Sequence, residues 1–316
     1  MDETLRWILI GLLAVSLLLS GAYALDMKGH YARVGGASTV IPSPYGDIEY
    51  AEGGVGPAVL VIHGSGGGFD QGKILVDSVL GDRFNWIAPS RFGYLRSTFH
   101  EGATFDDQAA AYAALLDHLG IDKAAVIALS HGAPSALLFA ALHPERVSSL
   151  ALISGGVAPS VTEDQAEANQ KGDMLTTVYK HDGLYWALTR LFRKQFLGLL
   201  GATPDVIAEL TPEQRQLVDR VVDEMNPVSL RSVGVAFDNR ATLPGERIAA
   251  IQAPTLIFHA KDDTLQLYHN AEFAVSHIPG ARLISFEHGG HLALVVERAT
   301  IREVLREHIH EHVKGM

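Results

Sequence analysis

Short unbroken apolar runs alternate along this chain with stretches in which apolar residues recur at helical spacing. Ala58–Ile62 is the first such run, and an apolar run of this length between turns suits a strand buried on both faces of a parallel sheet. Glycine-rich residues follow, then a predicted helix over 72–80 and a strand over 85–88, stopped by Pro89. The stretch 105–119 is rich in Ala, carries Leu115, Leu116 and Leu119 on one side and closes on Gly120, which predicts a helix. Strand Ala124–Leu129, a helix over 134–142 ended by His143-Pro144, and a strand over 149–153 stopped by Gly155-Gly156 continue the series. Alternation of this kind predicts an α/β fold, a mostly parallel twisted sheet with helices on both faces.

The alternation stops over 157–237. That region reads as helices, among them 184–200, rich in Trp186, Phe192, Phe196 and leucines, and 212–225. The sheet pattern returns with a strand over 255–259, a helix over 265–277, the strand Arg282–Phe286 and an amphipathic helix over 292–312. The predicted organisation is an α/β core in two parts, 26–156 and 238–316, interrupted by an all-helical insertion at 157–237. Within the first part, residues 26–45, punctuated by Gly35-Gly36, Pro42 and Pro44, read as an irregular connector.

Residues 1–25 stand apart. The uncharged stretch 7–25 is close to the roughly 20 residues that span a bilayer as a helix. It is apolar all round and precedes any domain, which argues against a buried core helix. Ala22-Tyr23-Ala24 is a small-x-small triplet of the kind a signal peptidase cuts, yet the head before the apolar stretch is poor in positive charge. Arg6 on one side against Lys28 and Arg33 on the other gives little orientation bias. The expectation is export to the periplasmic or extracellular side, by a cleaved signal or a retained anchor at the membrane.

Composition narrows the chemistry. A chain of 316 residues, 47% of them hydrophobic, can bury a large core. Its net charge of -11 offers no electrostatic footprint for nucleic acid, so that partner is not expected. With no cysteine in the sequence, disulfides, thiolate nucleophiles and cysteine metal sites are excluded. His308 and His312, four apart on a helix, could hold a metal, but no third ligand is evident and a solvated helix end is the preferred reading. No cofactor or metal is implied.

Three loops after strands carry candidate chemistry, where open α/β sheets place their ligands. Ala128-Leu129-Ser130-His131-Gly132 sits between a strand and a helix, with small residues two before and two after a serine. A sharp strand-to-helix turn needs that spacing, and it would expose the Ser130 hydroxyl beside the N–H of His131. A serine that merely caps a helix is the competing reading of this pentapeptide. His63-Gly64-Ser65-Gly66-Gly67-Gly68 lacks the Lys-Ser/Thr ending of a phosphate loop, and suits a turn whose N–H at Ser65 or Gly66 faces the serine. His63 itself reads as a brace for that loop. Lastly, Asp262-Asp263 and His288-Gly289-Gly290-His291 follow the last two predicted strands. A serine needs an imidazole to take its proton, and the imidazole needs a carboxylate; Ser, Asp, His is the chain order of one known arrangement.

Taken together, these motifs resemble the α/β-hydrolase family, in its lid-bearing form, over roughly residues 47–316. The resemblance implies Ser130 as nucleophile, His291 as base and Asp263 as acid, with Asp262 the alternative acid. It also implies an oxyanion hole from the N–H of His131 and of Ser65 or Gly66, and the insertion at 157–237 as a helical cap. The family often has Asp-x-x-Gly-x-Gly-x-Ser after its fourth strand; here Ser90 replaces the acid and Leu95 a glycine. A Ser rather than an Asp nucleophile disfavours the branches that open epoxides or displace halide, so Tyr179 and Tyr185 are read as core or lid-lining aromatics. The implied activity is hydrolysis of a small, apolar, ester-like acyl substrate. Cleavage of a C–C bond or an amide, perhydrolysis, and a weakly catalytic ligand-binding receptor are the alternatives on the same residues.

Overall fold

The computed structural model describes residues 2–158 and 163–313. Met1 of the predicted leader, 159–162 of the predicted insertion and 314–316 of the last predicted part lie outside the described residues. An eight-stranded sheet in the order β1-β2-β4-β3-β5-β6-β7-β8 forms the centre. Its strands are β1 (Thr39–Ile41), β2 (Ile48–Gly53), β3 (Ala58–Ile62), β4 (Asn85–Pro89), β5 (Ala124–Leu129), β6 (Val147–Ile153), β7 (Thr255–Ala260) and β8 (Arg282–Phe286). From β4 to β8 every neighbouring pair is parallel, whereas β1 and β2 join antiparallel at one edge.

The central strands are mostly apolar because helices cover both faces. On one face α3 (Phe105–His118), α4 (Ala133–Leu142) and α11 (His269–His277) bury Tyr112, Leu115, Leu137 and Phe139. On the other, α2 (Phe69–Leu75) and α13 (Arg298–Val313) bury Leu75, Ile301 and Leu305. Local signals fix the ends of α3: Thr104 and Asp107 form a reciprocal capping box, and Gly120 follows at φ +66°.

Between β6 and β7 the chain leaves the sheet and forms α5 (Glu163–Val178), α6 (Asp182–Leu191), α7 (Arg193–Leu199), α8 (Pro204–Glu209), α9 (Pro212–Glu224) and α10 (Ser232–Asp238). These helices share an apolar cluster of their own, including Tyr179, Tyr185, Phe196 and Val222, which rests on the sheet domain through Tyr94 and Val295. Several predicted boundaries shift. The helix expected over 184–200 is two helices, broken at Phe192 by φ -130°. The one expected over 292–312 is broken at Glu297, separating α12 (Ala293–Val296) from α13.

The largest difference is at the amino end. The residues read as an irregular connector continue a single helix, α1 (Glu3–Gly36), and β1 begins three residues later. At 1.5 Å per residue α1 is about 50 Å long. It is long and apolar enough to cross a membrane, and none of its most apolar window is buried. Leu17, Leu18 and Leu25 are exposed, and each such side chain left in water forgoes about 1.5–3 kcal/mol of burial. Beyond Leu25 polar side chains take over the helix and hold it to the body. Asp26 accepts from Trp186 Nε1 at 2.8 Å and Arg190 at 2.7 Å, and the Tyr31 hydroxyl donates to Asp182 at 2.8 Å. Partners more than 150 residues away sustain this half of α1, which no local signal foretells.

His308 is a second correction. His308 is not at the solvated position expected of it, because it lies one turn from Leu305 and two from Ile301 on the face of α13 that packs on the sheet, and it is buried. No group of three or more His, Cys, Asp or Glu that could hold a metal occurs among the described residues.

Candidate active site

Ser130 follows β5 and adopts φ +50°, a left-handed conformation that a non-glycine residue takes only under constraint. The constraint is close approach: a Cβ at Gly132 would lie 2.5 Å from the His63 carbonyl oxygen, so the chain turns where only glycine fits. Behind the turn β5 pairs with β3 and β6, and this anchors the serine at the carboxyl edge of the sheet.

His291, after β8, brings Nε2 to 3.0 Å from the Ser130 Oγ and Nδ1 to 2.8 Å from Asp263 Oδ2. A carboxylate only accepts, so Nδ1 carries the ring proton and Nε2 is left to accept from the serine hydroxyl. Asp263, after β7, is buried, and its other oxygen accepts from the N–H groups of Leu265 and Gln266, both at 2.9 Å. Asp262, the alternative acid, faces elsewhere: it accepts from the N–H of Gly290 at 2.7 Å and of Gly289 at 3.3 Å, bracing the loop that presents His291. His288 is exposed.

On the opposite side, Gly64 to Gly67 form a tight turn closed by the Gly67 N–H on the Gly64 carbonyl at 3.2 Å, with Gly66 at φ +74°. Among the described residues neither the Ser65 nor the Gly66 N–H has an intramolecular acceptor. A Cβ at Gly66 would meet the Tyr179 hydroxyl at 2.3 Å, so the insertion packs directly on this turn. His63 is saturated: its Nδ1–H donates to the Gly64 carbonyl at 2.7 Å and its Nε2 accepts from the Arg91 N–H at 2.9 Å.

Three groups around the site, Arg91, Asp238 and Glu49, carried no motif and escaped the sequence reading. Arg91 is fully buried, pairs with both oxygens of Asp238 at 2.5 and 2.6 Å, and donates Nε–H to the His63 carbonyl at 3.1 Å. Glu49 on β2 supplies the buried carboxylate in the corner where Ser90 replaces the family's acid, accepting from the Ser90 hydroxyl at 2.9 Å. Leu95, in place of the family's glycine, is held at φ +53°. No sequence pattern marks Arg91 or Glu49 apart from other charged residues; only burial distinguishes them.

An apolar cavity opens beside Ser130 and His291. Leu75 and Leu129 of the sheet domain and Leu175, Val218, Val221 and Met225 of the insertion line it, and no Asp, Glu, Lys or Arg does among the described residues. Burial lowers the pKa of His131 below the ordinary histidine value, and of His63 well below it, where the Arg91 charge adds to the effect. Burial likewise lowers His259 and His308. Unfolded histidines bind protons near pH 6.5, which these folded ones resist. Their full contribution to stability is therefore present above about pH 6.5 and is lost as pH falls toward the depressed folded values. Thermal melts from about pH 8 to pH 5 should show the midpoint falling below about pH 6.5; a midpoint that does not move would contradict this.

The family model described as alpha/beta hydrolase fold matches residues 57–297. The chain belongs to the α/β-hydrolase family. The uncharacterized hydrolase YcgS of Bacillus subtilis is 28% identical over 78% of this chain and 89% of its own length. A 2-hydroxy-6-oxo-6-phenylhexa-2,4-dienoate hydrolase of Burkholderia cepacia is 26% identical over 78% of this hydrolase and 85% of its own length. Among solved structures, a bacterial membrane phospholipase A has a TM-score of 0.65 at 21% identity, covering 97% of this hydrolase and 99% of its own chain.

Proposed function

We propose that this hydrolase cleaves carboxylic esters with apolar acyl groups by a Ser130–His291–Asp263 triad, and that α1 tethers it to a membrane. The observation that carries the reading is the line of hydrogen bonds from Asp263 through His291 to Ser130 at the edge of a cavity that, among the described residues, no Asp, Glu, Lys or Arg lines. His291 takes the hydroxyl proton as Ser130 Oγ attacks the ester carbonyl, and Asp263 stabilises the imidazolium. The oxyanion is held by the N–H of His131 together with that of Ser65 or Gly66. His291 then protonates the leaving alcohol, and water, activated by the same imidazole, frees the acid and Ser130. Helices α5 to α10 act as a cap that supplies the outer wall of the acyl site. Export and anchoring rest on the exposed apolar half of α1, and the breadth of the match to the membrane phospholipase A structure is in keeping with them.

C–C bond hydrolysis is the principal rival, because relatives act on dienoates by name. A dienoate carries a carboxylate, and a cavity lined without Lys or Arg offers it no charged partner. A panel of p-nitrophenyl esters from acetate to palmitate tests the reading on the full chain in detergent. Each methylene that enters the cavity should raise kcat/KM about fourfold until the cavity is filled. An optimum at acetate, or faster turnover of the aryl dienoate than of every ester, would overturn the substrate assignment.

A further inference from the structure

The half of α1 that docks on the body does more than attach it. Arg33, on its last turns, donates Nη1–H to Asp70 Oδ2 at 2.5 Å, and Nη2–H to the carbonyls of Glu224 at 2.6 Å and Asn226 at 2.7 Å. Asp70 opens α2, directly after the turn that carries Ser65 and Gly66. The same carboxylate accepts from Arg231 Nη1 at 3.0 Å and Nη2 at 2.7 Å, and Arg231 is fully buried. Arg231 Nη1 also donates to the Gly67 carbonyl at 2.6 Å, the residue that closes the turn. A continuous chain of charge-assisted hydrogen bonds thus runs from α1 through Asp70 and Arg231 to the backbone beside Ser65 and Gly66.

Resting on the triad reading above, we propose that Arg33 is a positioning residue for the oxyanion hole: it holds Asp70, and through it Arg231 and the Gly64–Gly67 turn, so that turnover depends on the Arg33 contact and not on the other contacts of α1. The charges fit this role. Burial of Asp70 favours its neutral form, but the Arg231 charge and hydrogen bonds, and then those of Arg33, outweigh it and keep the carboxyl ionised far below the usual carboxylate range. Arg33 and Arg231 both donate to the Glu224 carbonyl, so the end of α9 is fixed to the same point. A lysine cannot span these acceptors, whereas the planar guanidinium fork meets all three. Because the hole acts as charge develops on the carbonyl oxygen, a displaced donor slows the chemical step more than it weakens substrate binding.

The full-length chain in detergent, with p-nitrophenyl butyrate as substrate, provides the test. Arg33→Ala should lower kcat about tenfold while KM stays within about twofold. Asp26→Asn, which loosens α1 from Trp186 and Arg190 without touching Asp70, should leave kcat unchanged. Unchanged kcat in Arg33→Ala, or an equal fall in Asp26→Asn, overturns the proposal. Should Arg33→Ala not fold, Arg33→Lys keeps the charge and most of the reach and loses the fork; it should lose about fivefold in kcat, and full activity there overturns the proposal equally. Ser130→Ala is measured beside them. Retained hydrolysis in that variant would remove the triad reading itself, whereas an inactive Ser130→Ala with a fully active Arg33→Ala rejects the positioning role alone.

Discussion

Replacing Asp263 by Asn is expected to lower kcat on the order of 10⁴-fold, and replacing Ser130 by Ala on the order of 10⁶-fold. The two losses have different origins. Without Ser130 no acyl-enzyme forms, and what remains comes from binding and the oxyanion hole. With Asn at 263 the serine stays, but the amide can present its N–H to Nδ1. The ring proton then moves to Nε2, which can no longer accept from Ser130 Oγ at 3.0 Å. The informative comparison is Asp262→Asn. Asp262 accepts from the backbone N–H groups of Gly289 and Gly290, so its loss should cost about tenfold through a looser His291 loop. Steady-state rates of the three variants on one ester check the order; equal losses at 262 and 263 would mean that the imidazole is not oriented as described.

The second large effect concerns stability. Asp238→Ala should destabilise the fold by about 3–5 kcal/mol, because it leaves the Arg91 guanidinium buried, charged and without a carboxylate. Arg91 also holds the His63 carbonyl and so the start of the Gly64–Gly67 turn, which extends the damage to the site. Arg91→Met combined with Asp238→Leu should cost much less than Asp238→Ala, since the uncompensated charge is gone. Denaturant midpoints of the variants measure both; a cost below about 1 kcal/mol for Asp238→Ala would show that the pair is solvated in solution.

Why parts of this architecture are readable in the sequence, and others are not, follows from the range of the forces involved. Strands β3 to β7 each carry a short apolar run, such as Val59–Ile62 in β3 and Leu150–Ile153 in β6, so most of their burial is written locally. The loops that bring Ser130, Asp263 and His291 within hydrogen-bond distance of one another follow from those strands, because a parallel sheet places its strand ends on one edge. Helix breaks at Phe192 and Glu297 lie in stretches with no Gly or Pro to announce them. The docked half of α1 is invisible for a different reason: Asp26, Tyr31 and Arg33 find the hydrogen-bond partners that dock it on other helices folded against them. Arg91, Arg231 and Asp70 share that property, as charged residues whose burial is decided by tertiary contacts. His308 is the exception, since its spacing from Ile301 and Leu305 was there to be read.

The central claim is that Ser130 is the nucleophile, and covalent labelling addresses it most directly. The full chain is treated with a fluorophosphonate, and the modified residue is located by peptide mass spectrometry. The account predicts one adduct, on Ser130, absent from Ser130→Ala and strongly slowed in Asp263→Asn. Folded protein left unlabelled at Ser130 while it still hydrolyses esters would contradict it.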